Sequence, residues 1–233
     1  MTPKAILLDI EGTTAPISFV AETLFPFAAE RLAAFVRANE SEPEVAGALA
    51  ETAALEGRAL TSEEAIAVLL GWIAADRKAT PLKTLQGKIW REGYESGAIR
   101  SPVYPDAVAA MRAWKARGVR LDVYSSGSVE AQILLYRHTA DGDLTPLFDA
   151  YFDTRTGPKL EAASYAVIAR AIGLGPGDIL FLSDAPGEVS AAQAAGMAAI
   201  RIDRALPPGT HRRDAGGDVA ADFAVVDALI AAG

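Results

Sequence analysis

Two carboxylates near the start of the sequence follow directly after a predicted strand. Residues 5–8 are all apolar, which is the pattern of a short strand buried on both faces of a parallel sheet. Asp9 and Glu11 come next, and Gly12 favours a turn immediately after them. Ligands of open α/β sheets bind where such strands end, so this motif is a candidate site.

Polar side chains also follow two later predicted strands. Ser125 and Ser126 end one strand, Asp184 follows another, and Lys159 lies between them in a turn that opens a helix. Together with Asp9, they supply a carboxylate nucleophile, hydroxyl donors, an ammonium group and an acid suited to a metal ion. These are the groups that phosphoryl transfer requires.

The elements that must position these residues fall into two groups. Residues 17–100 show helical spacing and helix-start signals but no convincing strand. From residue 101 onward, predicted strands alternate with helices, which indicates right-handed crossovers and a parallel sheet. We therefore expect an α/β protein with a Rossmann-like catalytic core, residues 1–16 and 101–233, and a helical cap, residues 17–100, inserted after the first strand.

Further expectations concern residues away from these motifs. Residues 223–226 fit a short strand, and the Pro- and Gly-rich stretch 203–218 fits a loop that contains His211. Asp122 is expected at a sheet edge or facing solvent. His138 is expected to be structural, and two histidines so far apart argue against a histidine metal site.

Composition excludes several classes of function. The chain has 233 residues, no cysteine and a net charge of −8, which argues against disulfides, thiolate metal sites and nucleic-acid binding. No stretch reaches the roughly 20 apolar residues that a membrane span needs, and no signal peptide is evident. We expect a cytoplasmic protein.

The order Asp9, Ser125, Lys159 and Asp184 resembles the haloacid dehalogenase-like superfamily of phosphotransferases. Longer stretches are similar to one family within it, the enolase-phosphatases of methionine salvage. These stretches are residues 9–20 (DIEGTTAPISFV), 85–90 (LQGKIW), 124–132 (YSSGSVEAQ), 151–154 (YFDT), 157–165 (GPKLEAASY) and 179–184 (ILFLSD). The resemblance covers nearly the whole chain, including the predicted cap.

The resemblance implies a monomeric bifunctional enzyme with the haloacid dehalogenase fold and one Mg²⁺ per subunit. Its substrate would be the phosphorylated diketone 2,3-diketo-5-methylthiopentyl-1-phosphate. The enzyme would enolise this diketone and then remove phosphate to give the acireductone 1,2-dihydroxy-3-keto-5-methylthiopentene. Asp9 would attack phosphorus, and Asp9, Asp184 and the backbone carbonyl of Glu11 would bind Mg²⁺.

The remaining site residues would bind the substrate or the water molecules around the metal ion. Lys159 and the Ser125 hydroxyl would neutralise and orient the phosphoryl oxygens, with Ser126 as a further substrate contact. Glu188 would hold metal-bound waters. Glu11 stands where the wider superfamily usually has Asp, and our hypothesis is that Glu11 removes the proton during enolisation.

The sequence departs from the family pattern at three positions. Ser190 stands where relatives often carry an acid, Pro186 replaces a non-proline residue, and Lys88 replaces a histidine. Two other functions remain open on the residues alone. One is a general small-molecule phosphatase or phosphomutase, and the other is a non-catalytic binding protein that keeps the fold.

Overall fold

The chain folds into two units, as its computed structural model describes for residues 2–232. One unit runs to Ile17 and resumes at Ser101, and the other spans Ser18–Arg100. The predicted roles of these units as catalytic core and cap remain predictions.

The first unit is built on a seven-stranded sheet. Its strands are Ala5–Leu8 (β1), Arg120–Tyr124 (β2), Ala150–Phe152 (β3), Ile179–Ser183 (β4), Ala198–Ile202 (β5), His211–Asp214 (β6) and Gly217–Ala220 (β7). Their spatial order is β3-β2-β1-β4-β5-β7-β6, and every neighbouring pair is parallel except β6 and β7. Because β1 lies between β2 and β4, the residues that follow these three strands emerge at one edge.

Helices account for the rest of the regular structure. They are Phe25–Asn39 (α1), Pro43–Leu55 (α2), Ser62–Ala74 (α3), Thr80–Glu95 (α4), Pro105–Ala116 (α5), Val129–Arg137 (α6), Ala162–Ile172 (α7), Pro186–Ala194 (α8) and Phe223–Ala232 (α9). A short π-helix, Val20–Leu24, leads into α1. Within residues 2–232, no helix is both long and apolar enough to cross a membrane.

The sheet of the first unit is covered on both faces. Ile6 and Leu8 of β1 pack into one apolar cluster, while Ala5 and Leu7 pack into a second. All four side chains are fully buried, because successive strand residues point to opposite faces and helices cover each face. This explains why β1 is a continuous apolar run instead of an alternating one.

The second unit is a set of four packed helices. Leu32, Val45, Leu69 and Leu85, one from each helix, are buried in its common apolar cluster. Helix α3 begins with the predicted capping box. In its first turn, the Thr61 hydroxyl accepts the backbone N–H of Glu64, and the Glu64 carboxylate accepts the backbone N–H of Thr61.

Two predictions for the end of the chain are wrong. Residues 223–226 begin helix α9 instead of forming a strand, and the carboxylate of Asp222 accepts the backbone N–H of Val225 at its start, 2.9 Å away. A four-residue apolar run does not distinguish helix from strand, and this N-cap was the missed signal. The predicted loop 203–218 contains β6, which includes His211, and the start of β7. The sequence did not predict β6 because this strand is exposed and polar and has no alternation of apolar residues.

The prediction for Asp122 is also wrong. It lies on β2 between β1 and β3 and is fully buried. Arg120 donates from Nε to both carboxylate oxygens of Asp122, at 3.1 and 2.9 Å. Burial raises the pKa of the Asp122 carboxyl, although Arg120 opposes that shift. Strand order decides this burial, and strand order is not local sequence information.

Candidate active site

Asp9 lies at the point where β1 ends, and its backbone continues the sheet. Its N–H donates to the carbonyl of Leu182 on β4, at 3.0 Å. The side chain is 4% exposed. A carboxylate this deeply buried must find charged or hydrogen-bonding partners, and the residues around Asp9 supply them.

Lys159 reaches Asp9 from a loop that three hydroxyl groups hold in place. The hydroxyls of Tyr124, Ser164 and Tyr165 donate to the carbonyls of Gly157, Pro158 and Lys159, at 2.8, 2.7 and 2.8 Å. Helix α7 begins only at Ala162, because residues 157–161 form this separately anchored loop. The loop presents the ammonium group of Lys159 at the end of β1.

The ammonium group of Lys159 is shared between two carboxylates. Its Nζ lies 2.6 Å from Asp9 Oδ1 and 2.7 Å from Glu188 Oε2, and the side chain is 7% exposed. Burial alone would lower the pKa of Lys159, but the attraction of Asp9 and Glu188 outweighs it and raises that pKa. Lys159 is therefore a fixed positive charge beside Asp9.

Ser183, the last residue of β4, connects the same two carboxylates. Its Oγ lies 3.1 Å from Asp9 Oδ2 and 2.9 Å from Glu188 Oε2, and it accepts the backbone N–H of Ala185. A serine has one hydroxyl proton, so it donates to only one of the two acids at a time. Burial and the charge of Asp9 raise the pKa of Glu188.

Thr13 joins Asp9 to Asp184. Its hydroxyl accepts the backbone N–H of Asp184 at 2.9 Å and lies 3.4 Å from Asp9 Oδ2. Gly12 has φ of 76°, and a Cβ at this position would overlap the Asp184 carboxylate. The glycine thus permits both the turn and the close approach of this acid. Burial and Asp9 raise the pKa of Asp184.

Glu11 and Ser125 form the second pair of the site. The Ser125 hydroxyl donates to Glu11 Oε2 at 3.0 Å and accepts the backbone N–H of Gly127 at 3.1 Å. Burial, followed by the charge of Asp9, raises the pKa of Glu11. Ser125 is fully buried, whereas Ser126 is exposed.

The structure thus brings most of the sequence-predicted site residues into contact. Asp9, Lys159 and Glu188 form one ionic cluster, and Glu188 touches Lys159 directly, a contact that the sequence did not indicate. Sequence reasoning missed Thr13 and Ser183 as partners of Asp9. The available signals were the position of Thr13 inside the first motif and the position of Ser183 as a polar residue at the end of an apolar strand.

The donor set matters for any metal ion. Among residues 2–232, no three His, Cys, Asp or Glu side chains are grouped as a metal site. Mg²⁺ commonly takes only one or two carboxylates and completes its shell with carbonyl, water and phosphate oxygens. Asp9 and Asp184 provide two hard carboxylates whose charges repel each other, so the residues present fit such an ion.

Comparison with known proteins identifies relatives across the chain. A model of the haloacid dehalogenase-like hydrolase family matches residues 3–196. A protein of Pseudomonas aeruginosa named Enolase-phosphatase E1 is 58% identical over 205 residues, covering 88% of this chain and 91% of that protein. One of the same name from Parvibaculum lavamentivorans is 50% identical over 231 residues, covering 99% and 97%.

Solved structures give a consistent result. The UTR4 protein of Saccharomyces cerevisiae is similar with a TM-score of 0.77 and 38% identity, covering 95% of this chain and 98% of that one. The L-2-haloacid dehalogenase RSc1362, at 17% identity and a TM-score of 0.58, shares the fold.

The repulsion at Asp184 predicts that Asp184→Asn stabilises the metal-free protein. A carboxyl whose pKa is raised on folding contributes stability below its unfolded-state pKa and loses it as pH rises through the folded-state pKa. Asparagine does not titrate, so the variant's advantage should grow with pH to on the order of 1 kcal/mol near neutrality.

Urea unfolding in the presence of EDTA, at several pH values, measures this effect. Asp141→Asn, at an exposed position of the same unit, is the matched control and should change stability little. A D184N variant less stable than the parent near neutral pH would show that the charge of Asp184 does not destabilise the metal-free fold.

Proposed function

Because this chain belongs to the haloacid dehalogenase-like hydrolases and, within them, to the enolase-phosphatase E1 family, we propose that it is an acireductone-forming enolase-phosphatase. It would act in methionine salvage on 2,3-diketo-5-methylthiopentyl-1-phosphate. The single observation that carries the chemistry is the buried Asp9 carboxylate, 2.6 Å from the Lys159 ammonium at the end of β1. The names of the relatives support the choice of substrate.

Asp9 is the proposed nucleophile. One of its carboxylate oxygens would bond to phosphorus while the ester P–O bond breaks, which gives an aspartyl phosphate and the enol product. Water would then attack phosphorus and restore the carboxylate. Lys159 on Oδ1 and the hydroxyls on Oδ2 orient the carboxylate, and Oδ1, which accepts from Lys159 alone, keeps a further lone pair for attack.

Lys159 and Ser125 are the proposed phosphoryl-binding groups. The ammonium of Lys159 is already held at the nucleophile, so it would neutralise charge on the transferring group without reorganisation. The Ser125 hydroxyl would turn from Glu11 to a phosphoryl oxygen. Ser126, which is exposed, is a proposed substrate contact.

Glu11 is the proposed acid–base group. Its raised pKa follows from burial and from the charge of Asp9, which favours proton exchange closer to neutral pH than an ordinary glutamate allows. As a carboxylate it would take a proton from the carbon that bears the phosphate ester, while the electron pair of that C–H bond moves to the neighbouring ketone oxygen to give an enolate, which solvent protonates to the enol. As an acid it would protonate the oxygen that leaves phosphorus.

One Mg²⁺ per subunit is the proposed cofactor, with the carboxylates of Asp9 and Asp184 and the carbonyl of Glu11 as ligands. The bound ion would offset the repulsion between Asp9 and the phosphate dianion. Glu188 would support the site through Lys159 and Ser183, and its contacts favour this role over one confined to metal-bound water.

The finer assignments rest on family likeness. We propose that residues 1–16 and 101–233 form the catalytic core, residues 17–100 the cap, and that the enzyme is monomeric and cytoplasmic. Its partner is the small phosphorylated diketone; nucleic acid and membranes are not proposed partners.

The proposed function predicts two products that form in sequence. Stopped-flow ultraviolet absorbance with the diketone phosphate and Mg²⁺ should show a transient enol, then acireductone and stoichiometric phosphate. Asp9→Asn should release no phosphate, because an amide oxygen does not replace the attacking carboxylate. Phosphate release from simple esters, with no reaction of the diketone, would indicate a general phosphatase instead.

A second prediction concerns Glu11. Glu11→Gln should slow enolisation by about a hundredfold, since acid–base groups typically contribute that much or more. In the parent, kcat/KM should rise with pH through the raised pKa of Glu11, because the carboxylate is the active base. That acid limb should disappear in the variant.

Glu51→Gln, at an exposed position, is the matched control and should keep the parental pH profile. Full enolisation by E11Q at every pH would exclude Glu11 as the base.

A further inference from the structure

Arg204 contacts the loop that follows the proposed nucleophile. It lies just after β5, and its guanidinium donates twice to the backbone carbonyl of Thr13, from Nη2 at 2.7 Å and from Nε at 3.2 Å. The contact is to the backbone of the loop, so Arg204 acts on the loop's position. Sequence analysis gave this residue no role.

The guanidinium of Arg204 is itself held from two other elements. Nη1 donates to Asp106 Oδ2 at 2.7 Å, and the same oxygen accepts the backbone N–H of Phe223 at 2.8 Å. The guanidinium carbon lies 4.1 Å from the ring centroid of Tyr104 and 5.2 Å from that of Phe223. With 17% of its side chain exposed, Arg204 is a fixed group that joins the starts of α5 and α9 to the loop.

Thr13 carries this restraint into the site. Its hydroxyl accepts the backbone N–H of Asp184 and lies within reach of Asp9 Oδ2. Thr13 therefore binds Arg204 through its carbonyl and contacts both Asp9 and the backbone of Asp184 through its hydroxyl. A shift of the Thr13 carbonyl would move that hydroxyl relative to Asp9 and Asp184.

We propose that Arg204 is a positioning residue for catalysis: it fixes Thr13 and thereby the relative placement of Asp9 and Asp184. The inference rests on the proposed function for its kinetic consequence. The planar guanidinium donates two hydrogen bonds to the Thr13 carbonyl and one to a carboxylate, and it also lies against two aromatic rings. A lysine ammonium is a single point charge on a flexible stem and does not reproduce this set of contacts.

Arg204→Lys tests the proposal against a matched control in the adjacent strand. Arg201→Lys changes an arginine of β5 that pairs with the partly exposed Asp214 at 3.0 Å. R204K should lower kcat by about tenfold to a hundredfold, as misplacement of reacting groups does, with KM changed less than about twofold. R201K should leave both constants near the parental values.

Hydrogen–deuterium exchange supplies a readout that needs no substrate. Amides in peptides spanning residues 9–15 should exchange faster in R204K than in the parent, because the restrained loop opens more often. R201K should leave their exchange unchanged. This arm reports on positioning even if the diketone proves not to be the substrate, whereas failure of the parent to turn over the diketone would count against the proposed function.

A double-mutant cycle tests whether the effect passes through Thr13. If Arg204 acts through the Thr13 hydroxyl, R204K should lower kcat little further in a Thr13→Val background. Should R204K fail to fold, Tyr104→Leu removes one aromatic face while leaving every donor of Arg204. It should lower kcat by about threefold and speed exchange at residues 9–15.

Three results would overturn the proposal. The first is an R204K variant with reduced stability but kcat equal to that of R201K, which would make Arg204 structural only. The second is a loss of kcat with unchanged exchange at residues 9–15. The third is a loss of kcat in R204K that adds in full to the loss caused by Thr13→Val.

Discussion

The buried ammonium of Lys159, shared between Asp9 and Glu188, is the interaction on which the rest of the site depends. Nζ lies 2.6 and 2.7 Å from the two carboxylates, and all three groups are largely removed from water. Such charges are tolerated inside a protein only when they are paired and hydrogen-bonded. Strand β1 brings Asp9 to this edge of the sheet, helix α8, which follows β4, brings Glu188, and the hydroxyl-anchored loop brings the ammonium group.

The site nevertheless holds more negative than positive charge. Glu11, Asp184 and Glu188 all have raised pKa values, each from burial and from Asp9, while Lys159 is the cation that contacts Asp9. The fold therefore maintains a cluster of acids whose charges repel one another. Active sites often carry such a cost in stability, because the charges that a reaction needs are not the ones that stabilise the fold best.

Much of this site could be predicted because its residues sit at the ends of continuous apolar strands. β1 followed by Asp9, and β4 followed by Asp184, are local patterns. The burial of Asp122 depends on strand order, and the contact between Arg204 and Thr13 joins residues far apart in sequence. Neither leaves a periodic signal, so only the folded chain reveals them. The strand predicted at residues 223–226 failed because so short an apolar run fits helix and strand equally.

The most direct test of the account is a crystal structure of the protein with Mg²⁺ and beryllium fluoride, a mimic of an aspartyl phosphate. The account predicts beryllium bonded to a carboxylate oxygen of Asp9, with Lys159 beside the fluorides. Beryllium fluoride bound to Asp184 or Glu188, or separated from Asp9 by water, would contradict the assignment of Asp9 as the nucleophile.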